Sequence, residues 1–110
     1  MNSVSSIALS AMRVATASLA QSAQNVANVN TPGYEPDSVE AVDQAGGGVT
    51  SALRAPAPTF DRSQDEVLGS NTDMISETVT QLGASQQFKA SIALLKTDQD
   101  MTQSLLDLKV

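Results

Sequence analysis

The stretch NVANVNTPGYEP, residues 25–36, ends an alanine-rich segment with a strong helix stop. Pro32 fixes its φ at about −65° and disfavours the helical region for Thr31, while Gly33 can adopt the positive φ that a type II turn requires after a proline. The sequence therefore predicts that a helix ends here in a turn. The predicted helix-ending turn consists of Asn30, Thr31, Pro32, Gly33 and Tyr34.

The residues before this turn, from 4 to 29, have helical periodicity. At about 100° per residue, seven of their eight large apolar side chains fall within an arc of about 160°, and Leu9 lies outside it. The opposite face carries polar or small side chains with a single arginine, which disfavours a helix on a membrane surface. We therefore predict an amphipathic helix.

The middle of the chain, residues 34–70, is acidic and contains clusters of glycine and proline. These clusters disfavour helix, so we predict a mostly irregular loop with at most a short strand over residues 48–53. Asp61, Asp65 and Glu66 lie here, but their spacing matches no metal-coordination loop. We interpret them as solvated acids.

Residues 71–110 return to helical spacing, and Asn71 followed by Asp73 gives a plausible helix cap. Apolar triplets with spacing i, i+4, i+7 begin at Ile75, Phe88 and Met101. Each triplet is displaced by 13 residues from the last, which rotates the apolar face by about 220° on a straight helix. This helix therefore requires neighbours on several sides.

Composition limits what the 110 residues can do, because the chain has a net charge of −6 and contains no histidine and no cysteine. The acidic balance opposes binding to nucleic acid and to anionic membranes. The missing residue types remove the usual metal ligands and nucleophile–base pairs. We predict no enzyme activity, cofactor, metal site, small-molecule substrate or nucleic-acid partner. With no apolar run of about 18 residues and no signal-peptide pattern, we also predict no membrane insertion and no cleaved signal.

The fold class that follows is all-α. We predict that residues 1–33 and 71–110 form an antiparallel two-helix coiled-coil hairpin, one discontinuous domain joined by the loop at 34–70. Two helices cannot cover several apolar faces, so the isolated hairpin is expected to be marginally stable. The apolar faces that remain uncovered must be buried against other chains.

Both ends of the chain resemble motifs of a known family. ALSAMR at 8–13 followed by NVANVNTPGY at 25–34 is similar to the N-terminal signature of bacterial flagellar rod and hook proteins. The C-terminal half resembles the rod motif of the same proteins. The residues that carry this second resemblance are Asn71, Asp73, Met74, Ile75, Glu77, Gln86, Phe88, Ala90, Lys96, Thr97, Asp98, Met101, Leu105, Leu106, Asp107 and Leu108.

The resemblance implies a fold, a location and partners. The terminal segments would pair as a coiled-coil domain in the inner tube of the flagellar axial structure, and the short middle is similar to that of the proximal rod subunits. Partners would be other rod subunits, further copies of this chain and the type III export machinery. The location would be the periplasmic rod of the basal body. Asn25 and Asn28 would then hydrogen-bond across a subunit boundary or to water.

Two functions fit these expectations. The first is a structural subunit that polymerises through its terminal helices into the axial tube that transmits torque for motility. The second is a soluble coiled-coil binding module or assembly adaptor that holds one partner and does not polymerise. For the first function, the expected assembly contacts are Val4, Ile7, Leu19, Ile75, Val79, Leu82, Phe88, Ile92, Leu95, Leu105 and Leu108.

Overall fold

The computed structural model describes residues 3–56 and 69–109 of the chain. Helix α1 spans Ser3–Ala27, strand β1 Ser38–Asp43, strand β2 Val49–Arg54 and helix α2 Met74–Leu108. The acids that we interpreted as solvated, at positions 61, 65 and 66, lie outside the described residues.

The two helices pack side by side in opposite directions, as the helical spacing at both ends of the chain predicts. Ser22, near the end of α1, donates a hydrogen bond to the backbone oxygen of Glu77 at 3.2 Å. Ser5, near the start of α1, donates to a carboxylate oxygen of Asp98. Because α1 has 25 residues and α2 has 35, α2 is longer by about 15 Å and continues past the start of α1.

Small side chains fill the seam between the helices. Ala8, Ala15 and Ser22 of α1 are seven residues apart and almost fully buried, and Ala84 and Ser91 of α2 are buried with the same spacing. A seven-residue repeat is the pattern of a coiled-coil contact, and small residues let two helix backbones approach closely. The seam therefore gives close packing while burying little apolar area.

The middle of the chain corrects our prediction of a mostly irregular loop. β1 and β2 pair antiparallel over six residues each, from Ser38 opposite Arg54 to Asp43 opposite Val49. The three consecutive glycines reverse the chain, with φ of 102° at Gly46, 98° at Gly47 and 90° at Gly48. Glycine adopts such angles without strain from a Cβ atom, so the cluster that we took as a sign of an irregular loop builds a hairpin turn.

The β-hairpin lies on α1, which explains how a two-stranded ribbon is ordered. The hydroxyl oxygen of Ser10 accepts a hydrogen bond from the backbone N–H of Val49 at 3.1 Å and donates to the carbonyl of Ile7 at 2.7 Å. An isolated two-stranded hairpin is at best marginally stable in water. Packing on a helix supplies the missing stability.

Substituting Gly48 by alanine should weaken this packing. A Cβ atom at Gly48 would lie 2.8 Å from the hydroxyl oxygen of Ser10, in addition to the strain of an L-residue at φ 90°. We expect a loss of about 2 kcal/mol in the free energy of unfolding, measured by urea titration with circular dichroism. Gly46→Ala is the matched control, because its φ is 102° but no atom lies within 4 Å of the added Cβ. An equal loss in both variants would contradict the role of the Ser10 contact.

Both helix ends next to the middle segment differ slightly from prediction. α1 ends at Ala27, two residues early, and α2 begins at Met74 with Asp73 as its N-cap. The Asp73 carboxylate accepts hydrogen bonds from the Ser76 hydroxyl and from the backbone N–H groups of Ile75 and Ser76, which lowers its pKa. Asn71, our predicted cap, instead donates its backbone N–H to the carbonyl of Tyr34 at 2.9 Å.

The molecule is long and thin. Its principal extents are 75 × 26 × 14 Å, and its radius of gyration is 19.3 Å where a compact domain of this length has about 13 Å. The exposed area is 7945 Å², against roughly 5800 Å² for a compact monomer of 11.4 kDa. The difference, roughly 2100 Å², is more than twice the area of about 800 Å² that each partner buries in a standard protein–protein interface.

Candidate assembly interface

Asn25 is the most highly connected polar side chain in the described structure. It is 2% exposed, and its amide nitrogen donates to the Asp37 carbonyl at 2.7 Å and to the Glu77 carboxylate at 2.9 Å. Its amide oxygen accepts from the hydroxyl of Tyr34 at 2.9 Å and from Gln21 at 3.2 Å. Both donors of the amide are therefore used, and the buried polar atoms are satisfied.

These bonds join four parts of the chain at one end of the helix pair. The Asn25 backbone carbonyl also accepts from the hydroxyl of Thr72 at 3.2 Å, just before α2 begins. We call Asn25, Tyr34, Asp37, Thr72 and Glu77 the polar knot. It connects the end of α1, the turn, the segment that leads into β1 and the start of α2.

Our expectation that Asn25 would bond across a subunit boundary or to water is wrong, because its partners lie in the same chain. Asn28, three residues later, is half-buried and bonds locally, donating its amide to the Gln24 carbonyl at 2.9 Å. Its amide oxygen accepts from the hydroxyl of Thr31. The two asparagines therefore have different roles.

The helix-ending turn lies directly after this end of α1. Tyr34 donates its backbone N–H to the carbonyl of Thr31 at 3.2 Å, and Gly33 has φ 73°. Asn30, Thr31, Pro32 and Gly33 are exposed, whereas Tyr34 is half-buried because its ring turns back toward Asn25. The turn thus carries the tyrosine into the polar knot.

The side chains that we expect to make assembly contacts are uncovered in the single chain. Nine of the eleven are exposed, from 37% for Val4 to 82% for Leu108, and Phe88 and Leu95 are half-buried. Exposed apolar surface of this extent marks a surface that binds protein or membrane. Sequence reasoning did not include six further exposed apolar residues: Val42, Leu53, Met74, Leu94, Met101 and Leu106.

These exposed residues do not form one face. By helical rotation, Ile75, Val79 and Leu82 point away from the seam, since Ala84 marks the side of α2 that faces α1. Leu105 instead continues the seven-residue seam of Ala84, Ser91 and Asp98 beyond the start of α1. The two ends of α2 therefore offer apolar surface in different directions.

A shallow groove of about 450 Å³ runs along the remaining face of α1. Leu9, Met12, Arg13 and Thr16 line it on α1, and Phe88 of α2 forms one side. A second cavity of about 310 Å³ lies between α1 and the β-hairpin, lined by residues that include Gln21, Gln24, Val39 and Leu53. Among the described residues, no group of three or more acids is placed to hold a metal ion.

Helix α1 also has the length and composition of a membrane-crossing helix, with an 18-residue window of mean hydropathy 1.2 that is 22% buried. The same property occurs in core helices of soluble proteins and in signal sequences. Here α1 lies against α2 and the β-hairpin. The absence of membrane insertion and of a cleaved signal stays a prediction.

Comparison with known proteins bears on this surface through the C-terminal half of the chain. Residues 63–108 match the family described as flagellar basal body rod FlgEFG protein, C-terminal. A search of curated proteins finds no match to the chain. By its description, the matched family is a component of the flagellar basal-body rod. The match covers 46 of the 110 residues, so it shows that this segment is similar to the flagellar basal-body rod proteins, the family that the terminal motifs of the chain resemble.

Proposed function

We propose that this protein is a structural subunit of the flagellar rod that polymerises through its terminal helices into the axial tube. The observation that carries the proposal is the exposed apolar surface on both helices. Leu105 and Leu108 are 67% and 82% exposed on a segment that matches the rod family. Burying such side chains against neighbouring subunits would stabilise the assembly by about 2 kcal/mol each.

The shape of the chain supports the same function. A hairpin 75 Å long with apolar residues facing several directions can contact neighbours on more than one side. Contacts between different surfaces of identical or similar subunits repeat without limit when the rotation between subunits does not close a ring, and they then build helical assemblies. A tube of closely packed helices would be stiff enough to transmit torque.

The proposal includes a route and a location. Export would use the type III machinery of the flagellum, without a cleaved signal, and the rod would lie in the periplasm. A thin core supports this route, because the buried apolar residues of the described structure are only Ala8, Val14, Ala15 and Ala84. Such a chain unfolds at low cost before it enters a narrow channel.

The double variant Leu105→Asp with Leu108→Asp tests this function. Packing into the rod would bury two unpaired carboxylates at the proposed contact, which costs free energy and opposes assembly. We therefore expect at least a tenfold loss of incorporation into purified basal bodies. Swimming should be lost with it. Gln99→Asp with Gln103→Asp adds the same charge to another side of α2 and should assemble normally. Normal motility of the leucine variant would count heavily against the proposal.

The alternative, an adaptor that holds one partner, predicts a different mass distribution. Sedimentation of the pure protein with added rod subunits should give open-ended assemblies if the chain is a rod subunit. A complex that saturates at one partner would instead favour the adaptor.

A further inference from the structure

We propose that the C-terminal extension of α2, residues 101–108, docks in the α1 groove of a second copy of this chain. This inference rests on the proposed function and specifies the contact between neighbouring copies. The α1 groove is the surface of Leu9, Met12, Arg13, Thr16 and Phe88 described above. Three properties of these two surfaces match.

The first match is the spacing of the apolar side chains. Along the extension, Met101, Leu105 and Leu108 follow steps of four and three residues. In the groove, Leu9, Met12 and Thr16 follow steps of three and four. Two helices that run in opposite directions bring these series into register, and both series span about 11 Å.

The antiparallel register pairs Leu9 with Leu108 and Met12 with Leu105. Within one chain, Ser5 already pairs with Asp98 in the antiparallel seam. The contact between copies is shifted from that seam by 14 residues, which is two coiled-coil repeats or about 21 Å along the helix axis. One α1 helix can therefore contact its own α2 and the extension of a second copy on different faces.

The second match is exposure. On the extension, Met101 is 62% and Leu105 is 67% exposed, and no part of the described α1 runs alongside them. In the groove, Leu9 and Met12 are half-buried but open to solvent on one side. Leu9 is the large apolar residue of α1 that lies outside the main apolar arc, and this contact gives it a partner.

The third match is charge. Arg13 is the charged residue of α1, lies in the groove and has no ion pair within the described part of the chain. The extension carries Asp107 and no basic residue between positions 101 and 108. In the proposed register Asp107 lies about three residues along the axis from Arg13, within reach of the long guanidinium side chain. The charges therefore favour this occupant over a basic one.

Disulfide trapping tests the contact directly, because the chain has no cysteine. Full-length Met12→Cys and Leu105→Cys proteins are purified separately, mixed and oxidised. We expect a mixed dimer as the main product and a similar product from Leu9→Cys with Leu108→Cys. Ser85→Cys replaces Leu105→Cys as the control, since Ser85 is exposed elsewhere on α2. Circular dichroism confirms equal helicity of all variants.

Charge reversal adds a second readout of the same contact. Arg13→Asp should lower the yield of the mixed dimer about threefold, and Asp107→Arg in the extension-bearing partner should restore it. Equal trapping with the Ser85 control, or preferred trapping of Leu9→Cys with Met101→Cys, would overturn the proposed register. Trapping that requires a different rod subunit would overturn the second copy as the occupant.

The outcomes separate this inference from the proposed function. Open-ended assembly without the Met12–Leu105 disulfide contradicts the groove contact and leaves the rod subunit function standing. If the parent protein neither self-associates nor joins rod subunits, and is absent from purified basal bodies, both proposals are wrong.

Discussion

Replacing Asn25 by leucine should destabilise the hairpin by about 3 kcal/mol. The substitution removes the donors to Asp37 and Glu77 and the acceptor for Tyr34, and all three bonds are 2.9 Å or shorter. Leucine has a similar volume, so the loss reflects unsatisfied polar groups near a 2% exposed position and not a cavity. Urea titration followed by helical ellipticity measures it, with sucrose present to raise the folded population.

Asn28→Leu is the matched control for this prediction. Asn28 is the same residue type near the same helix end, but it is half-buried and its amide bonds only to nearby backbone and side-chain groups. We expect a loss below about 1 kcal/mol, as is usual away from buried networks. If the two leucine variants unfold at the same urea concentration, the polar knot does not stabilise the fold.

Enlarging the seam should have an effect of similar size. Ala15 is 2% exposed between the two helices, and Ala15→Leu would place a branched side chain where small residues set the helix spacing. We expect a loss of about 2 to 3 kcal/mol in the free energy of unfolding, because the helices must move apart or the side chain must adopt a strained rotamer. The same urea titration measures this loss.

The same substitution at an exposed alanine of α1 gives the control. Ala23→Leu adds equal volume and similar helix propensity on a solvent-facing position, so its unfolding midpoint should stay close to that of the parent. Unchanged stability in Ala15→Leu would show that the seam tolerates large residues. Close packing of small side chains would then not determine the helix pairing.

The helix pair was predictable because its signals are local. Periodic apolar residues and the Pro32–Gly33 stop define where α1 ends, and the proline-free segment after Asp73 defines α2. The β-hairpin was not predicted because its strands, SVEAVD and VTSALR, are mostly exposed and lack a continuous apolar face. The two strands are ordered because they contact α1, and a local sequence pattern does not reveal such a contact.

The seam and the polar knot differ in what the sequence could have revealed. Ala8, Ala15 and Ser22 repeat every seven residues, so a search for small residues at heptad spacing would have found the seam. Reasoning from large apolar residues overlooked it. The partners of Asn25 come from residues 12 and 52 positions later, and sequence spacing cannot predict such bonds.

The polar knot makes the two ends of the hairpin unequal in their resistance to opening. At the knot, several hydrogen bonds hold α1, the turn and α2 together. At the other end, α2 continues to Leu108, and no part of the described α1 lies beside its last residues. Local opening costs least where the fewest contacts must break, so the termini fray first and order spreads from the knot. The helix pair therefore forms progressively from the polar knot, and the segment of α2 that carries Leu105 is the last to become ordered.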